Sequence, residues 1–279
     1  MGRKKFLIWL IAFIIISLLA ACVPTNAPLD LVGTANSQQA PNNEIDLPET
    51  GTQDASVPEL LTLPAATFED VPYDYCETLN GEDYYLYDYI QDLYDNGFTS
   101  GTSIDPPLYS PTKIIDRVHF AVFLLRAKFG TDFIPQEPAE QAFIVDDWTT
   151  LPEYQKWAEG MFEAQFTSGC QADPLMFCPY KKLSRLEAAI FALHLMFNQY
   201  DDEGKLIYAY EPPQASGTVF ADMTDTSFYG TSWAEAAYAY DLIPACGSSG
   251  GKPMFCPDDL VDRAWAAYII HQARNIDLQ

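Results

Sequence analysis

From residue 66 onward the apolar positions fall into three similar stretches, each with two clusters of large apolar side chains separated by a polar loop. The second cluster of each stretch recurs at helical spacing: Phe120, Phe123 and Leu124, then Ile190, Leu193 and Phe197, then Tyr268 and Ile269. Such a period predicts an amphipathic helix. Asp116, Ser184 and Asp262 precede these runs and are N-cap types, and Ser184 with Glu187 has the form of a capping box. The first cluster is aromatic, in Tyr85-Leu86-Tyr87-Asp88-Tyr89-Ile90, Trp157-Ala158-Glu159-Gly160-Met161-Phe162 and Trp233-Ala234-Glu235-Ala236-Ala237-Tyr238. It reads as a further helix. Between the two helices lies an aromatic-X-Pro triplet (Tyr109-Ser110-Pro111, Phe177-Cys178-Pro179, Phe255-Cys256-Pro257), and six residues after each proline stands an arginine: Arg117, Arg185, Arg263. Each stretch opens on Phe with a nearby acid, Phe68 with Asp70, Phe143 with Asp146, Phe220 with Asp222, the second one residue out of step. The expectation is a mainly α chain of three tandem helix-loop-helix repeats over 66–130, 142–199 and 218–275. Acidic, Pro-bearing connectors around Pro135–Pro138 and Asp201–Gly217 join them.

The beginning of the chain has a different pattern. Arg3, Lys4 and Lys5 precede an uncharged apolar run from Phe6 to Ala20, followed by Leu19-Ala20-Ala21-Cys22. That run falls short of the roughly 20 residues a spanning helix needs, and small residues lead into the cysteine, so 1–21 reads as an export signal. The pattern resembles bacterial lipoprotein signals, which implies a lipid on Cys22 and membrane anchoring on the extracytoplasmic side of the cell envelope. From 22 to 65 the polar, Pro-, Asn- and Thr-rich composition lacks any period and predicts a disordered tether. The formal net charge is −24, and loss of the three basic residues of the signal makes it more negative. Bulk attraction to nucleic acid or to an anionic bilayer surface is excluded.

With these residues in place the three stretches resemble S-layer homology repeats, whose pattern is Phe-x-Asp, Trp-Ala on a first helix, Gly-Ile-x-x-Gly in a loop, Phe-x-Pro, and Thr-Arg-Ala-Glu opening a second helix. Gly97-Phe98-Thr99-Ser100-Gly101 carries the loop motif, Ser184-Arg185-Leu186-Glu187 the helix-opening motif, and Trp157-Ala158 and Trp233-Ala234 the first-helix pair. The resemblance covers about three quarters of the chain. It implies repeats around a pseudo-threefold axis, each giving a helix to a central bundle, with grooves between neighbours. It also implies noncovalent attachment to cell-wall or surface-layer glycans, anionic ones included, through Arg117, Arg185, Arg263, Tyr85, Trp157, Trp233, Asp70, Asp222, Gly97 and Gly101. No unit has the whole motif: His119 and Trp265 stand in place of Glu, and Gln165, Asp241 and Ala245 in place of glycines.

A separate argument singles out the arginines. A cation in the first turn of a helix opposes the positive end of the macrodipole by about 0.3 to 1 kcal/mol. Something must compensate at three such positions. Two compensations stay open: an internal ion pair with an aspartate such as Asp70, Asp146 or Asp222 of an adjoining unit, or an anionic ligand held by the guanidinium beside an aromatic sugar-stacking face.

The cysteines co-vary between units. Cys170 and Cys178 align with Thr102 and Ser110 of the first unit, which lacks both at once, and Cys246 with Cys256 repeats the pairing. In an exported protein this predicts two disulfides closing the inter-helix loops; the role of Cys76 stays open. No metal site follows, because neither pair has a histidine nearby. Catalytic signatures are missing too: the histidines His119, His194 and His271 sit within apolar helices and read as packing residues, and Gly247-Ser248-Ser249-Gly250 lies in a cystine loop, not at a strand-to-helix elbow. The sequence therefore predicts a glycan-attaching envelope protein without catalysis or cofactor. The second expectation is a repeat scaffold that binds another envelope protein.

Overall fold

The computed structural model describes residues 66–138, 140–150 and 152–275. The expected export signal, Cys22 and the expected tether lie outside them. The first stretch contains β1 (Cys76–Leu79), β2 (Glu82–Tyr85), α1 (Tyr87–Asp95), β3 (Ser103–Ile104), β4 (Pro107–Leu108) and α2 (Arg117–Phe129). A 3-10 turn at Pro152–Tyr154 leads into α3 (Gln155–Glu163), β5 (Gln171–Ala172), β6 (Leu175–Met176) and α4 (Arg185–Phe197). Then come β7 (Gln199–Tyr200), β8 (Leu206–Tyr208), α5 (Tyr229–Ala239), β9 (Gly247–Ser249), β10 (Lys252–Met254) and α6 (Arg263–Asn275).

This corrects the expected fold class. Among the described residues 34% are helical and 16% lie in strands, so the chain is mixed α/β and not mainly α. Five antiparallel two-stranded hairpins make the difference. Three of them occupy the loops between paired helices, where the sequence pattern had suggested turns only. β1–β2 precedes α1, and β7–β8 lies in the connector after α4. The hairpins are short and their residues alternate weakly, which hides them from a periodicity argument. At the tip of β9–β10, Gly250 and Gly251 have φ of +59° and +78°. Two successive left-handed residues are what a tight hairpin turn with the right twist requires.

Each 13-residue second helix (α2, α4, α6) packs on the other two. Buried alanines at these contacts (Ala121, Ala188, Ala189, Ala192, Ala266, Ala267) allow close approach, while Phe120, Phe191 and Ile269 fill the space between helices. The capping box of α4 is formed as expected, with the Glu187 amide donating to Ser184 Oγ and the Ser184 amide donating to Glu187. Each first helix packs on the second helix of the preceding unit: α3 on α2, α5 on α4, and α1 on α6. The last pairing joins the two ends of the described chain.

The backbone repeats this circular order. The Arg117 amide donates to Lys181 O, the Arg185 amide to Asp259 O and the Arg263 amide to Lys113 O, at 3.0, 2.8 and 3.0 Å. One residue before each helix cap, Ile115 donates to Val261, Val261 to Leu183 and Leu183 to Ile115, all at 3.0 Å. First-turn amides, which no helix can satisfy internally, thus find carbonyls on the neighbouring unit.

Candidate functional site

The three aromatic-X-Pro triplets are held from two sides. From its own unit, Asp70 accepts from the amides of Tyr109 and Ser110 (2.8 and 2.7 Å), Asp146 from Phe177 and Cys178 (2.6 and 2.9 Å), and Asp222 from Phe255 and Cys256 (2.8 and 2.7 Å). The central residues Ser110, Cys178 and Cys256 have φ of +57°, +57° and +53°. A left-handed L-residue costs about 1 to 2 kcal/mol, and two hydrogen bonds to one carboxylate offset it. From the neighbouring unit the arginine takes the opposite edge of the same aromatic residue. Arg117 Nε donates to Phe177 O, Arg185 Nε to Phe255 O and Arg263 Nε to Tyr109 O, at 2.9, 2.8 and 2.7 Å. Each guanidinium also lies over that residue's ring, at 5.0, 5.5 and 4.5 Å from the centroid.

These contacts answer the question the arginines posed. Their compensation comes first from backbone carbonyls of the adjoining loop, whose negative ends face the helix start, and from the aromatic ring beneath. The aspartates do not pair with them directly. Burial lowers all three pKa values, that of Arg185 to about 10, and is opposed through space by Glu187 and then Asp146 at Arg117, by Asp259 and then Asp222 at Arg185, and by Tyr109 and then Asp70 at Arg263.

The outer guanidinium nitrogens meet three different environments. Arg117 Nη1 lies 2.8 Å from Glu187, two residues after Arg185. Arg185 Nη2 donates to Pro244 O at 2.6 Å. Arg263 Nη2 is buried and, like Arg117 Nη2, has no hydrogen-bond partner among the described residues. Arg263 lines a cavity of about 300 Å³ between α2 and α3, together with Phe98, Thr99, Gly101, His119, Arg126, Tyr154, Lys156 and Trp157. A second cavity of about 230 Å³ shares Gly101, His119, Tyr154 and Arg263 with it and adds Lys113 and Asp116. This is the first inter-unit groove. In it Arg126 lies over the Trp157 ring at 5.3 Å, donates from Nη1 to Phe98 O at 3.3 Å, and leaves its buried Nε without a partner.

The other two grooves are covered by the chain itself. In the second, Trp233 packs on His194 and Tyr210, and Tyr210 from the connector stacks on Phe197 with centroids 4.5 Å apart. Tyr210 is fixed there by its amide donating to Asn198 at 2.9 Å. In the third, Tyr84 and Tyr89 pack edge-on against Trp265 and Tyr268.

Of the sequence-predicted residues, Gly101, Trp157 and Arg263 come together at the first groove. Gly101 has φ of +84°, and a Cβ there would come within 2.4 Å of Leu108 O. Gly97 lies beside Thr131. Asp70 and Asp222 serve the triplets, Arg117 and Arg185 are struts, and Trp233 is covered. Tyr85 is not on the first helix: it ends β2 and is exposed. The residue equivalent to Trp157 and Trp233 is Tyr89, because Phe98, Phe166 and Leu242 each donate to the carbonyl four residues further along the helix, Leu93, Met161 and Ala237. Reasoning from sequence also missed Arg126, Tyr154 and Lys156. His119 was read as packing, yet it lines the groove. One signal was present: His119, Val122, Phe123 and Arg126 stand at i, i+3, i+4 and i+7, one helix face mixing apolar and basic groups.

His119 Nδ1 lies 3.3 Å from Asp116, and its ring packs edge-on against Tyr154 at 5.2 Å. Burial lowers its pKa, Asp116 works against that, and Arg263 and Lys113 add to the lowering. His119 is therefore neutral at pH 7. The groove presents Arg126, Lys156 and Arg263 opposite Glu153, a local excess of positive charge on an acidic molecule.

The predicted disulfides Cys170–Cys178 and Cys246–Cys256 are present. Both brace the base of a hairpin next to a triplet. Among the described residues no helix is long and apolar enough to cross a membrane. A scan of protein-family models finds no match to this chain, and a search of the curated proteins finds none.

Proposed function

We propose that the protein is a lipid-anchored component of the cell envelope that attaches noncovalently to a cell-wall or surface-layer glycan bearing acidic groups, and that the first inter-unit groove is its binding site. The observation that carries this reading is the cavity between α2 and α3: about 300 Å³, walled by Trp157 and Tyr154, with two partly unpartnered arginines and Lys156 at its edge. Aromatic faces suit sugar rings, and a guanidinium fork suits a carboxylate. A cationic recess on a chain of net charge −24 concentrates attraction for an anion at one place. The S-layer homology pattern in the sequence supports the same reading, and the lipobox before Cys22 supports the anchor.

The test is co-sedimentation with purified wall polysaccharide. Tyr154→Ala combined with Lys156→Glu should weaken binding at least tenfold, while Trp233→Leu, in the covered second groove, should leave it unchanged. Equal binding by all three proteins would refute the groove. A second reading, a scaffold for another envelope protein, draws on the exposed adjacent rings of Phe228 and Tyr229 at the start of α5. Loss of a protein partner on Phe228→Ser with Tyr229→Ser, and no effect of the groove variants, would favour it.

A further inference from the structure

The three helix-opening arginines share one backbone environment and differ in what lies two residues beyond the next helix-opening arginine around the ring. For Arg117 that residue is Glu187, whose carboxylate sits 2.8 Å from Nη1 and makes the guanidinium an internal ion pair. For Arg263 the corresponding residue, two beyond Arg117 on α2, is His119, and among the described residues no carboxylate forms an ion pair with Arg263, although only 6% of the residue is exposed; Nη2 lacks a hydrogen-bond partner in Arg117 and Arg263 alike, so the carboxylate on Nη1 is what distinguishes them. Both residues border the same cavities. We infer that His119 is the specificity-determining residue of the first groove: by standing where an internal carboxylate would neutralise the arginine, it leaves Arg263 to take the carboxylate of an acidic sugar. The inference deepens the groove reading and rests on it for the sugar.

A buried charge whose internal partner is removed must be satisfied from elsewhere. Glu187 shows the chemistry that does it, a single carboxylate oxygen within hydrogen-bond distance of the guanidinium. His119 also makes the site sensitive to acid. It faces Asp116 on its own helix, Lys113 in the preceding loop, Arg263 on α6 and Tyr154 on the turn before α3. Glu153, Lys156 and Arg126 border the same cavity. Burial is the main reason that the ring gains its proton below the ordinary histidine range; Arg263 and Lys113 add to it through space, and Asp116 opposes it. Protonation then adds a cation beside Arg263, so carboxylate binding strengthens as pH falls.

The experiment is a titration of the full chain with D-glucuronate, and with glucose as the neutral control, followed by the NMR signal of the Arg263 Nε–H group. The wild-type protein should respond saturably to glucuronate and not to glucose, several-fold more tightly at pH 5.5 than at pH 7.5. His119→Glu should weaken glucuronate binding at least tenfold at pH 7.5. His119→Gln should bind like wild type at pH 7.5 and lose the gain at pH 5.5. Absence of a wild-type response at Arg263, or an undiminished response in His119→Glu, overturns the inference. If His119→Glu does not fold, the pH dependence of His119→Gln decides alone, an unaltered gain at pH 5.5 overturning it. Glucuronate binding at Arg263 without co-sedimentation of wall polysaccharide would refute the wall reading and leave the role of His119 standing. Co-sedimentation unaffected by His119→Glu would do the reverse.

Discussion

An arginine that opens a helix has to bring its own justification, and here it is the shape of the guanidinium. Nε points along the chain to a carbonyl 2.7 to 2.9 Å away while the planar head lies over the ring of the same residue. A lysine ammonium reaches the carbonyl or the ring but not both, and it lacks the fork. Arg185→Lys should therefore lower stability by about 1 to 3 kcal/mol, read from urea unfolding, with no change in the folded-state circular dichroism. Asp146 is the counterpart. It is buried and accepts two amides, so Asp146→Ala leaves two N–H groups unsatisfied and should cost about 2 to 4 kcal/mol in the same measurement. Asp222→Ala should cost less, because the Cys256 amide it serves is exposed.

Among the elements, the inter-helix hairpins show one architectural problem solved twice. In the second and third units a disulfide ties the hairpin base to the residue of positive φ. In the first, Thr102 Oγ1 and Ser110 Oγ lie 2.8 Å apart at the same place. Closing a loop of this length covalently is worth about 2.5 kcal/mol in the chain-entropy account. Thr102→Cys with Ser110→Cys should form a third disulfide and raise the unfolding midpoint relative to the same protein under reductant, with the bond confirmed by peptide mass. How much of this was legible in the sequence depends on the interaction. The caps at Ser184 and Asp262 and the cysteine pairs are local or co-varying, and the residues themselves announced them; Asp116 heads α2 without a side-chain cap bond, its carboxylate accepting from Lys182 instead. Two-residue strands are too short for a period, and they escaped. Tyr85 was taken for a helical residue because the aromatic run Tyr84–Tyr89 crosses a strand-to-helix junction without changing character. Arg126 escaped because its importance depends on α3 packing across it; the spacing of His119, Val122, Phe123 and Arg126 marks a shared face of α2 but not what covers that face.

At the scale of the whole molecule, the first and third units meet at a carboxyl pair. Asp262, the residue before α6, has its pKa pushed up to about 7 by burial and by the Glu77 carboxylate on β1, while the Trp265 amide pulls the other way. A folded-state carboxyl pKa above its unfolded value means that the native protein holds the extra proton between about pH 4 and pH 7, so this pair stabilises at acid pH and its contribution is lost as pH rises toward 7. Glu77→Gln should gain melting temperature relative to the wild-type protein as pH rises from 5 to 8, as calorimetry of the two proteins would show. The same junction is where the backbone order closes, since Arg263 donates to Tyr109 across 154 residues of sequence. Contacts of such separation raise contact order, and loop-closure entropy must be met before they form. A nascent chain therefore reaches its first two units without the carbonyl clamp on Tyr109 or the amide bonds from Arg263 and Ala264. The domain completes only when α6 has emerged, so its folding does not advance unit by unit.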